Sequence, residues 1–485
     1  MALSRNKTKI VCTIGPASES AEILEQMILA GMNVARLNFS HGNFDEHNAK
    51  IDIIRDTAQS VGRRVAIMAD LPGPKIRIGE FAEEPVELEA GEPFTLTTED
   101  IAGDQRRVSV SFKALPNVVQ PGDRIYLNDG YLELRVEKIQ GPNVRCTVIV
   151  GYELRSRKGL NLPGIDLGIS AFTDHDLACL RFAADQRLDA VSQSFVENAA
   201  DIQDVRNACA ELAYDPFIIA KVERSRAINN IDDILAAVDG IMIARGDLGV
   251  EIPIENIAAV QKQLMRKANA LGKPVITATQ MLESMATNRR PTRAEATDVA
   301  NAILDGTDAV MLSGESAMGQ YPVDAVKMLA SIATSIEPQR LTVPKRRFSD
   351  FPGGRGTIPR LQDLIALSVG NLLHHIHPAA VVVPTRGGAT ARSISRFRLP
   401  VWVIAVSSSE RACQGLLFSY GVKSVFEADH PTDWRSWIRN LFTEQDIDGH
   451  LAILTEGPSR KHPNRNNRME IIDLNHRGNH HGKIT

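Results

Sequence analysis

The chain has 485 residues, a length that predicts several folded domains rather than one hydrophobic core. Hydrophobic residues make up 43% and charged residues 24%, and the formal net charge of -4 gives no basic field for nucleic acid. The five scattered cysteines form no CxxC pair, which argues against a disulfide framework and a structural zinc site. No window is apolar enough for a membrane span and no signal-peptide core is present, so a cytoplasmic protein is expected.

The first part of the chain alternates between strand-like and helix-like segments. Residues 10–15, 34–39 and 65–70 are apolar runs that predict strands, whereas 18–30 and 44–61 have the apolar spacing of helices. Such alternation predicts a parallel sheet.

The pattern changes over residues 75–167, where no helix is predicted. Short strand-like pieces are separated by turns rich in Gly, Pro, Asn and Asp, which predicts a small β domain. The predicted strands are 86–88, 94–96, 124–127, 132–136 and 144–150.

Strand–helix alternation resumes after residue 167. A helix at 173–187 precedes five predicted strands, and these join the three before the insert to make eight. Eight strand–helix units predict an α/β fold, a (β/α)8 TIM barrel formed by residues 1–74 and 168–340 and interrupted after its third strand. The five later strands are predicted at 190–195, 217–223, 240–247, 274–279 and 309–314.

The last third of the chain reads as a separate unit. Residues 337–358 are rich in Pro, Gly and Arg, which predicts a linker. Residues 359–485 alternate again and predict a C-terminal open α/β domain. Its expected helices are 361–375, 389–397, 411–419 and 434–442, and its expected strands are 379–383, 401–406, 423–426, 451–455 and 471–474.

Several of the apolar segments predicted to be buried strands end in a charged or hydroxyl side chain. Lys221, Glu223, Asp247 and Thr279 lie where barrel strands should open at their carboxyl ends. Two carboxylates can hold a hard divalent cation, and a lysine beside them can neutralise a phosphoryl group. The pattern favours an enzyme that acts on a phosphorylated small molecule. The alternatives are solvated acids at strand ends, a lysine extending to solvent, and an ordinary β-branched strand residue at Thr279.

Six collinear stretches match one known family: residues 8–18, 32–42, 242–253, 278–285, 290–295 and 311–315. Through them nearly the whole chain resembles pyruvate kinase. The resemblance implies a TIM barrel with an inserted small β-barrel lid domain at 75–167 and a C-terminal regulatory domain at 359–485. It also implies glycolytic formation of ATP and pyruvate from phosphoenolpyruvate and ADP, with Mg2+ or Mn2+, in a homotetramer that binds neither nucleic acid nor membrane.

The resemblance also implies roles for individual residues. Lys221, Thr279 and Arg36 are expected to be catalytic, and with Gly246 and Asp247 they are expected to bind phosphoenolpyruvate. Glu223 and Asp247 are the expected Mg2+ ligands. Ser194 and Glu315 are expected to support them. The expected nucleotide contacts are Asn38, His41, Arg77 and Lys158.

The segment after the third strand departs from the family's commoner form. Where many relatives have Asp-Thr-Lys-Gly-Pro-Glu, this chain has Asp70-Leu71-Pro72-Gly73-Pro74-Lys75. Asn38, Ser40 and Asp70 match the positions that bind a monovalent cation in the family. We hypothesise that the ammonium of Lys75 replaces K+, so that K+ is not required.

A loop in the last domain is a candidate effector site. Small residues at the start of a helix, with an arginine on either side, could cradle the phosphate of a sugar phosphate, as in relatives. Relatives usually have serine at the position of Gly387, and an ordinary βα turn is the alternative. The loop residues are Thr385, Arg386, Gly387, Gly388, Ala389 and Thr390.

Two other functions are compatible with parts of the sequence. A barrel aldolase or lyase that uses a metal-bound enolate would explain Glu223 and Asp247, but not the insert, Lys158 or Arg36. A catalytically inactive sensor of sugar phosphates would explain only the C-terminal domain. ADP-dependent formation of pyruvate distinguishes the first, and absence of all activity would favour the second.

Overall fold

The computed structural model describes residues 3–340, 360–457 and 466–475 of the chain. Its first part alternates buried strands with helices. The helices begin at Ser20 and Asn43, whose side chains accept hydrogen bonds from main-chain N–H groups of the first turn. The elements are β1 (Lys9–Thr13), α1 (Ala21–Ala30), β2 (Val34–Asn38), α2 (Phe44–Ser60) and β3 (Ala66–Leu71).

A β-rich insert follows β3 and has its own apolar core, which runs from Ile76 to Leu167. The prediction that it contains no helix was wrong, because Leu115–Val118 form a single helical turn that is too short to show a helical period. The elements are β4 (Val86–Leu88), β5 (Pro93–Thr97), β6 (Arg107–Ser109), α3 (Leu115–Val118), β7 (Arg124–Leu127), β8 (Leu132–Gln140), β9 (Asn143–Val150), β10 (Tyr152–Leu154) and β11 (Leu160–Asn161). They form a six-stranded sheet, β11-β7-β8-β9-β5-β6, and a two-stranded ribbon, β10-β4.

Strand–helix alternation then resumes. Capping boxes begin three of the helices, at Thr173, Asn198 and Thr292. The elements are α4 (Asp174–Asp185), β12 (Ala190–Gln193), α5 (Ala199–Glu211), β13 (Phe217–Val222), α6 (Ser225–Asn229), α7 (Ile231–Ala237), β14 (Gly240–Ala244), α8 (Arg245–Glu251), α9 (Ile257–Leu271), β15 (Val275–Ala278), α10 (Arg293–Asp305), β16 (Ala309–Leu312), α11 (Gly314–Ala317) and α12 (Pro322–Ile336).

Eight parallel strands close into a barrel in the order β1-β16-β15-β14-β13-β12-β3-β2. The predicted TIM barrel, interrupted after its third strand, is therefore confirmed. Seven of the eight predicted barrel strands were too long at the carboxyl end, by one to three residues. The strand predicted at 217–223 ends at Val222, and the one predicted at 240–247 ends at Ala244, where α8 begins.

The C-terminal domain is an open sheet, as predicted. Its strands have the order β19-β18-β17-β20-β21, and β21 is an antiparallel edge. The helix predicted at 411–419 is α15 followed by a 3-10 turn at Leu416–Phe418, and the last strand begins earlier than predicted, at Arg468. The elements are α13 (Leu361–Leu372), β17 (Ala380–Pro384), α14 (Ala389–Ser395), β18 (Trp402–Ser407), α15 (Glu410–Gly415), β19 (Val422–Phe426), α16 (Trp434–Gln445), β20 (Leu451–Glu456) and β21 (Arg468–Asp473).

The C-terminal domain packs against the amino ends of the barrel strands. Phe418 stacks on Phe217, the first residue of β13, with ring centroids 5.1 Å apart. Arg398 forms an ion pair with Asp308, which directly precedes β16. This contact leaves the carboxyl ends of the strands free for the site described next. Most of the predicted linker, residues 341–358, lies outside the described residues.

Candidate active site

Most of the site residues predicted in the barrel meet in one cavity of about 130 Å³ at the carboxyl ends of the barrel strands. This is where barrel enzymes place their chemistry. A larger cavity of about 970 Å³ lies between the barrel and the C-terminal domain, and it contains none of the predicted site residues. The smaller cavity is lined by Arg36, Asn38, Ser40, Pro72, Lys75, Ser194, Phe195, Lys221, Glu223, Met242, Ala244, Asp247, Ala278, Thr279, Met311 and Ser313.

Lys221 lies near the end of β13 and is held by oxygen atoms on three strands. Its Nζ lies 2.9 Å from Glu223 Oε1 and 3.4 Å from Asp70 Oδ1, and it donates to Ser194 Oγ at 2.7 Å. Burial alone would lower the pKa of Lys221, but the two carboxylates outweigh it and raise the pKa. The ammonium is therefore charged and oriented before any substrate binds.

Glu223 and Asp247 place two carboxylates at the same cavity. Glu223 is buried, and its Oε2 accepts a hydrogen bond from the Phe195 N–H at 2.8 Å. Asp247 is half-buried in the first turn of α8. Burial raises the pKa of Glu223, the charge of Asp247 adds to this effect, and Lys221 opposes it. The two carboxylates repel each other, so a cation bound beside them in the cavity would reduce this repulsion.

The donor set fits Mg2+ or Mn2+ only if the substrate completes it. Among the described residues, no group of three or more His, Cys, Asp or Glu side chains could hold a metal ion. Magnesium commonly binds one or two carboxylates and takes its other oxygens from water and phosphate. Glu223 and Asp247 match that pattern.

Arg36 and Asp70 form a buried ion pair on neighbouring strands. Arg36 Nε donates to Asp70 Oδ2 at 2.7 Å, and Nη1 donates to Thr13 Oγ1 at 2.8 Å. Asp70 Oδ1 also accepts from Ser192 Oγ at 2.7 Å. Burial would raise the pKa of Asp70, but Arg36 and Lys221 hold it below its ordinary value. Asp70 therefore orients both Arg36 and Lys221.

Thr279 follows β15 in a left-handed backbone conformation, with a φ of 67°. This conformation is uncommon for a β-branched residue and costs about 1–3 kcal/mol. The Thr279 hydroxyl accepts from the Gly246 N–H at 2.7 Å and donates to the Ala278 carbonyl at 2.6 Å. Arg245 holds the turn, because its Nη2 donates to the Thr279 carbonyl at 2.9 Å. Gly246 and Thr279 are therefore neighbours, as the resemblance implies.

The sequence did not identify every residue that shapes the cavity. Arg245 had no predicted role, although it pairs with Asp298 and bonds to the Thr279 carbonyl. Phe195 also had none, because its contribution is a main-chain N–H, which no side-chain pattern reveals. Glu315 was predicted to support the site. Its carboxylate accepts hydrogen bonds from the main-chain N–H groups of Leu282 and Ser313.

Lys75 lines the cavity together with Asn38 and Ser40. Its side chain is exposed and passes close to Gly159: its Cε lies 3.8 Å from the position that a Cβ on this glycine would occupy. Lys75, Asn38 and Ser40, three of the residues in the hypothesised replacement of K+, therefore line the same cavity. Asp70 is the remaining residue of the predicted monovalent-cation site. Its two carboxylate oxygens accept hydrogen bonds from Arg36 and Ser192.

Three predicted nucleotide contacts do not line this cavity. His41 is exposed on the loop before α2. Arg77 and Lys158 lie on the two segments that join the barrel to the insert, where Ile78 N–H bonds to the Lys158 carbonyl at 3.0 Å. Arg77 Nη1 donates to the Arg157 carbonyl at 3.1 Å. Their positions are compatible with a substrate that extends from the cavity toward the insert.

The predicted effector loop joins β17 to α14. Thr385 Oγ1 accepts from the Gly388 N–H at 3.1 Å, and Gly388 has a φ of 82°, which suits glycine. Arg392 reaches back so that its Nη2 donates to the Gly387 carbonyl at 2.9 Å. Arg386 is exposed beside it. The loop lies on the side of the barrel opposite the cavity, because Arg392 lies over the Phe217 ring.

Comparison with known proteins identifies the family. The family model described as "Pyruvate kinase, barrel domain" matches residues 5–326, and "Pyruvate kinase, alpha/beta domain" matches residues 363–472. A pyruvate kinase of Thermococcus litoralis is 50% identical over 422 residues, which cover 87% of this chain and 89% of the relative. One of Staphylococcus epidermidis is 42% identical over 472 residues, covering 96% and 80%. The crystal structure of a pyruvate kinase from Cryptosporidium parvum superposes with a TM-score of 0.90 at 37% identity, over 97% of this chain and 96% of that one. The chain belongs to the pyruvate kinase family.

Proposed function

We propose that the barrel cavity is where this phosphotransferase moves the phosphoryl group of phosphoenolpyruvate to ADP. The observation that supports this is the meeting of Lys221, Glu223 and Asp247 in one cavity. The bond between phosphorus and the enol oxygen breaks, and a bond forms between phosphorus and a β-phosphate oxygen of ADP. The enolate that remains takes a proton at its methylene carbon and becomes pyruvate.

Each residue of the cavity has a defined part in this reaction. Lys221 neutralises the phosphoryl group during transfer, and Arg36 binds its oxygens as a guanidinium fork. The N–H groups of Gly246 and Asp247, together with the Thr279 hydroxyl, bind the substrate carboxylate. Binding opens the bond from the Gly246 N–H to Thr279 Oγ1 and the bond from the Thr279 hydroxyl to the Ala278 carbonyl. Mg2+ or Mn2+ held by Glu223 and Asp247 would neutralise phosphate and carboxylate oxygens. The Thr279 hydroxyl then donates to the substrate carboxylate, so a water chain delivers the proton.

The insert completes the site for ADP. Arg77 and Lys158 lie on the two segments that join the barrel to the insert, and Asn38 lines the cavity. His41 lies on the loop before α2. Closure of the insert over the cavity would exclude water and prevent hydrolysis of the phosphoryl donor.

The direct test is a lactate dehydrogenase coupled assay with and without ADP. We expect pyruvate to form only when phosphoenolpyruvate, ADP and Mg2+ are all present. Pyruvate formed at the same rate without ADP would mean that water accepts the phosphoryl group, and a folded enzyme that forms no pyruvate from phosphoenolpyruvate would favour the aldolase or lyase alternative.

We also propose that the enzyme needs no K+. The support is Lys75, whose side chain lines the same cavity as Asn38 and Ser40. An ammonium and a potassium ion carry the same charge, so either can balance the carboxylates of the site.

Replacing Lys75 with glutamate should make the enzyme dependent on K+. The substitution changes the local charge by two units and leaves a carboxylate that a monovalent cation can neutralise. We expect the wild-type rate to change less than about twofold when Na+ replaces K+, and the variant to be activated by K+ at least about tenfold. Lys138→Glu, on the exposed face of β8, is the matched control. Strong K+ activation of the wild type would refute the proposal.

The C-terminal loop is proposed as the binding site for a phosphorylated sugar effector. Its support is the main-chain N–H groups at the start of α14, together with Arg386. The loop is connected to the barrel by Arg392, which lies over Phe217 on the strand that carries Lys221.

Replacing Arg386 with alanine should weaken effector binding about 10- to 100-fold, the usual range for losing one charged contact to phosphate. Calorimetry with a panel of sugar monophosphates and bisphosphates would identify the ligand and measure the change. Arg266→Ala, exposed on α9 of the barrel, should leave affinity unchanged. Equal affinity of the wild type and the Arg386 variant for every ligand that binds would exclude this loop.

The domain limits are part of the same proposal. Residues 1–74 and 168–340 would form the catalytic barrel, 75–167 the lid, and 359–485 the regulatory domain. Separate apolar clusters in the insert and in the C-terminal sheet support these limits.

A homotetramer in the cytoplasm is proposed from the family alone. Among the described residues, no helix is long and apolar enough to cross a membrane.

A further inference from the structure

Arg224 is a buried arginine that the chemistry described above does not use. It directly follows Glu223, and its side chain is only 4% exposed. A guanidinium this far from solvent is costly unless several partners satisfy it. The identity of those partners indicates what the residue does.

The partners of Arg224 come from three separate parts of the structure. Its Nη2 donates to the main-chain carbonyls of Leu162 at 3.3 Å and Ile165 at 3.0 Å, on the segment that returns from the insert to the barrel. The same guanidinium lies 3.3 Å from a carboxylate oxygen of Glu197, on the loop after β12. It also lies 3.5 Å from Glu251, the last residue of α8.

The contact with Glu251 connects Arg224 to the substrate site. α8 is a short, rigid element that carries Gly246 and Asp247 in its first turn and Glu251 at its end. The insert also contacts this helix directly, since a Cβ on Gly130 would lie 3.3 Å from Val250. A shift of the insert would therefore act on α8 at two points.

A second arginine strengthens the same connection. Arg226 pairs with Asp166 of the return segment at 2.7 Å and with Glu197 at 3.1 Å. The charges form a chain from the insert to α8, in the order Asp166, Arg226, Glu197, Arg224 and Glu251. Such a chain holds the return segment at one angle to the barrel.

The pairing between Arg224 and Glu251 is incomplete. Both side chains are buried, yet Arg224 Nε and Glu251 Oε1 make no hydrogen bond in the described part of the chain. A buried charge pair with unused bonding groups gains energy from a small movement that brings the groups together. The contact between Arg224 and Glu251, now 3.5 Å, can therefore shorten when the neighbouring segments move.

We infer that Arg224 is a positioning residue that couples the angle of the insert to the placement of α8, so that closure over ADP and alignment of the substrate carboxylate occur together. This inference rests on the proposed function. Arg224 touches neither substrate nor reacting atoms. Its effect is to exclude water and to align Gly246 and Asp247 through Glu251.

Arg224→Met and Arg224→Lys test the inference. Methionine removes both the charge and the carbonyl bonds. Lysine keeps the charge, but its one nitrogen cannot meet the two carbonyls and Glu197, as Nη2 does, and also face Glu251, as Nε does. Pyruvate and ATP are measured in the same reaction. A merely structural arginine would lower both equally, but a loose insert would admit water, which attacks phosphorus and gives pyruvate and inorganic phosphate.

For Arg224→Met we expect kcat/KM for ADP to fall roughly 10- to 100-fold, the scale of a misplacement of about 1 Å. The ratio of pyruvate to ATP should rise above one. Arg224→Lys should show the same excess of pyruvate to a smaller extent, with a melting temperature that falls less than that of Arg224→Met because the charge is kept. Arg135→Met, which removes an exposed arginine ion pair of the insert, is the matched control.

The inference is overturned if Arg224→Lys shows equal pyruvate and ATP and a kcat/KM for ADP within about twofold of the control. The lysine variant decides the question even if the methionine variant does not fold. A wild type that forms no ATP would refute the proposed function, whereas a normal wild type with normal variants would refute only the role of Arg224.

Discussion

Replacing Lys221 with methionine should lower kcat for ATP formation by about a thousandfold or more. Lys221 is the cation nearest to the proposed path of the phosphoryl group, and such donors contribute mainly in the transition state. Methionine has a similar length but no charge, so binding of phosphoenolpyruvate should weaken far less than turnover. The measurement is the coupled pyruvate assay at saturating phosphoenolpyruvate, ADP and Mg2+.

The stability of this variant must be measured beside its activity. Removing Lys221 leaves Glu223 buried without its cation, and breaking a buried pair costs about 3–5 kcal/mol. Thermal unfolding of Lys221→Met and of the double variant Lys221→Met with Glu223→Gln separates the two effects. We expect the double variant to regain stability without regaining activity. A Lys221→Met enzyme that is folded and keeps more than about a tenth of wild-type kcat would contradict the assigned role.

Neutralising either proposed metal ligand should have an effect of similar size. Glu223→Gln and Asp247→Asn keep the shape of the side chain but remove a charge that a divalent cation needs. We expect each change to lower kcat/KM for phosphoenolpyruvate about a hundredfold or more, and to raise the Mg2+ concentration needed for half-maximal rate. Electron paramagnetic resonance of added Mn2+ measures the loss of binding without relying on activity.

A nearby acid provides the control for the metal variants. Glu255→Gln changes an exposed carboxylate that follows α8 and lies outside the cavity. Its Mn2+ affinity and rate should match the wild type. Wild-type Mn2+ affinity in both Glu223→Gln and Asp247→Asn would show that the metal binds elsewhere.

Much of the fold is predictable from local pattern. The barrel strands are buried on both faces, so they appear as continuous apolar runs, and their helices have capping residues at the start. The β-rich insert is recognisable because frequent turn residues separate its short apolar segments, and its apolar residues lack the spacing of a helix. The error at 240–247 has a tertiary cause. Arg245 bonds to Thr279 and pairs with Asp298, both distant in sequence, and these contacts accompany the end of the strand at Ala244.

The composition of the site was more predictable than its geometry. That Lys221, Glu223 and Asp247 should meet follows from the rule that parallel strands end at one rim. The pairing of Arg36 with Asp70 depends on the register between β2 and β3, and the left-handed conformation of Thr279 is accompanied by contacts with Arg245 and Gly246. The partners of Arg224 are likewise invisible in sequence, because two of them are main-chain carbonyls of the insert.

One measurement tests the central claim most directly: phosphorus-31 NMR of the purified enzyme with phosphoenolpyruvate, ADP, Mg2+ and K+. The phosphoenolpyruvate resonance should decay while the γ-phosphate resonance of ATP grows in equal amount, with no inorganic phosphate. Growth of inorganic phosphate in place of ATP, or an unchanged spectrum from a folded enzyme, would contradict the assignment of phosphoryl transfer to this cavity.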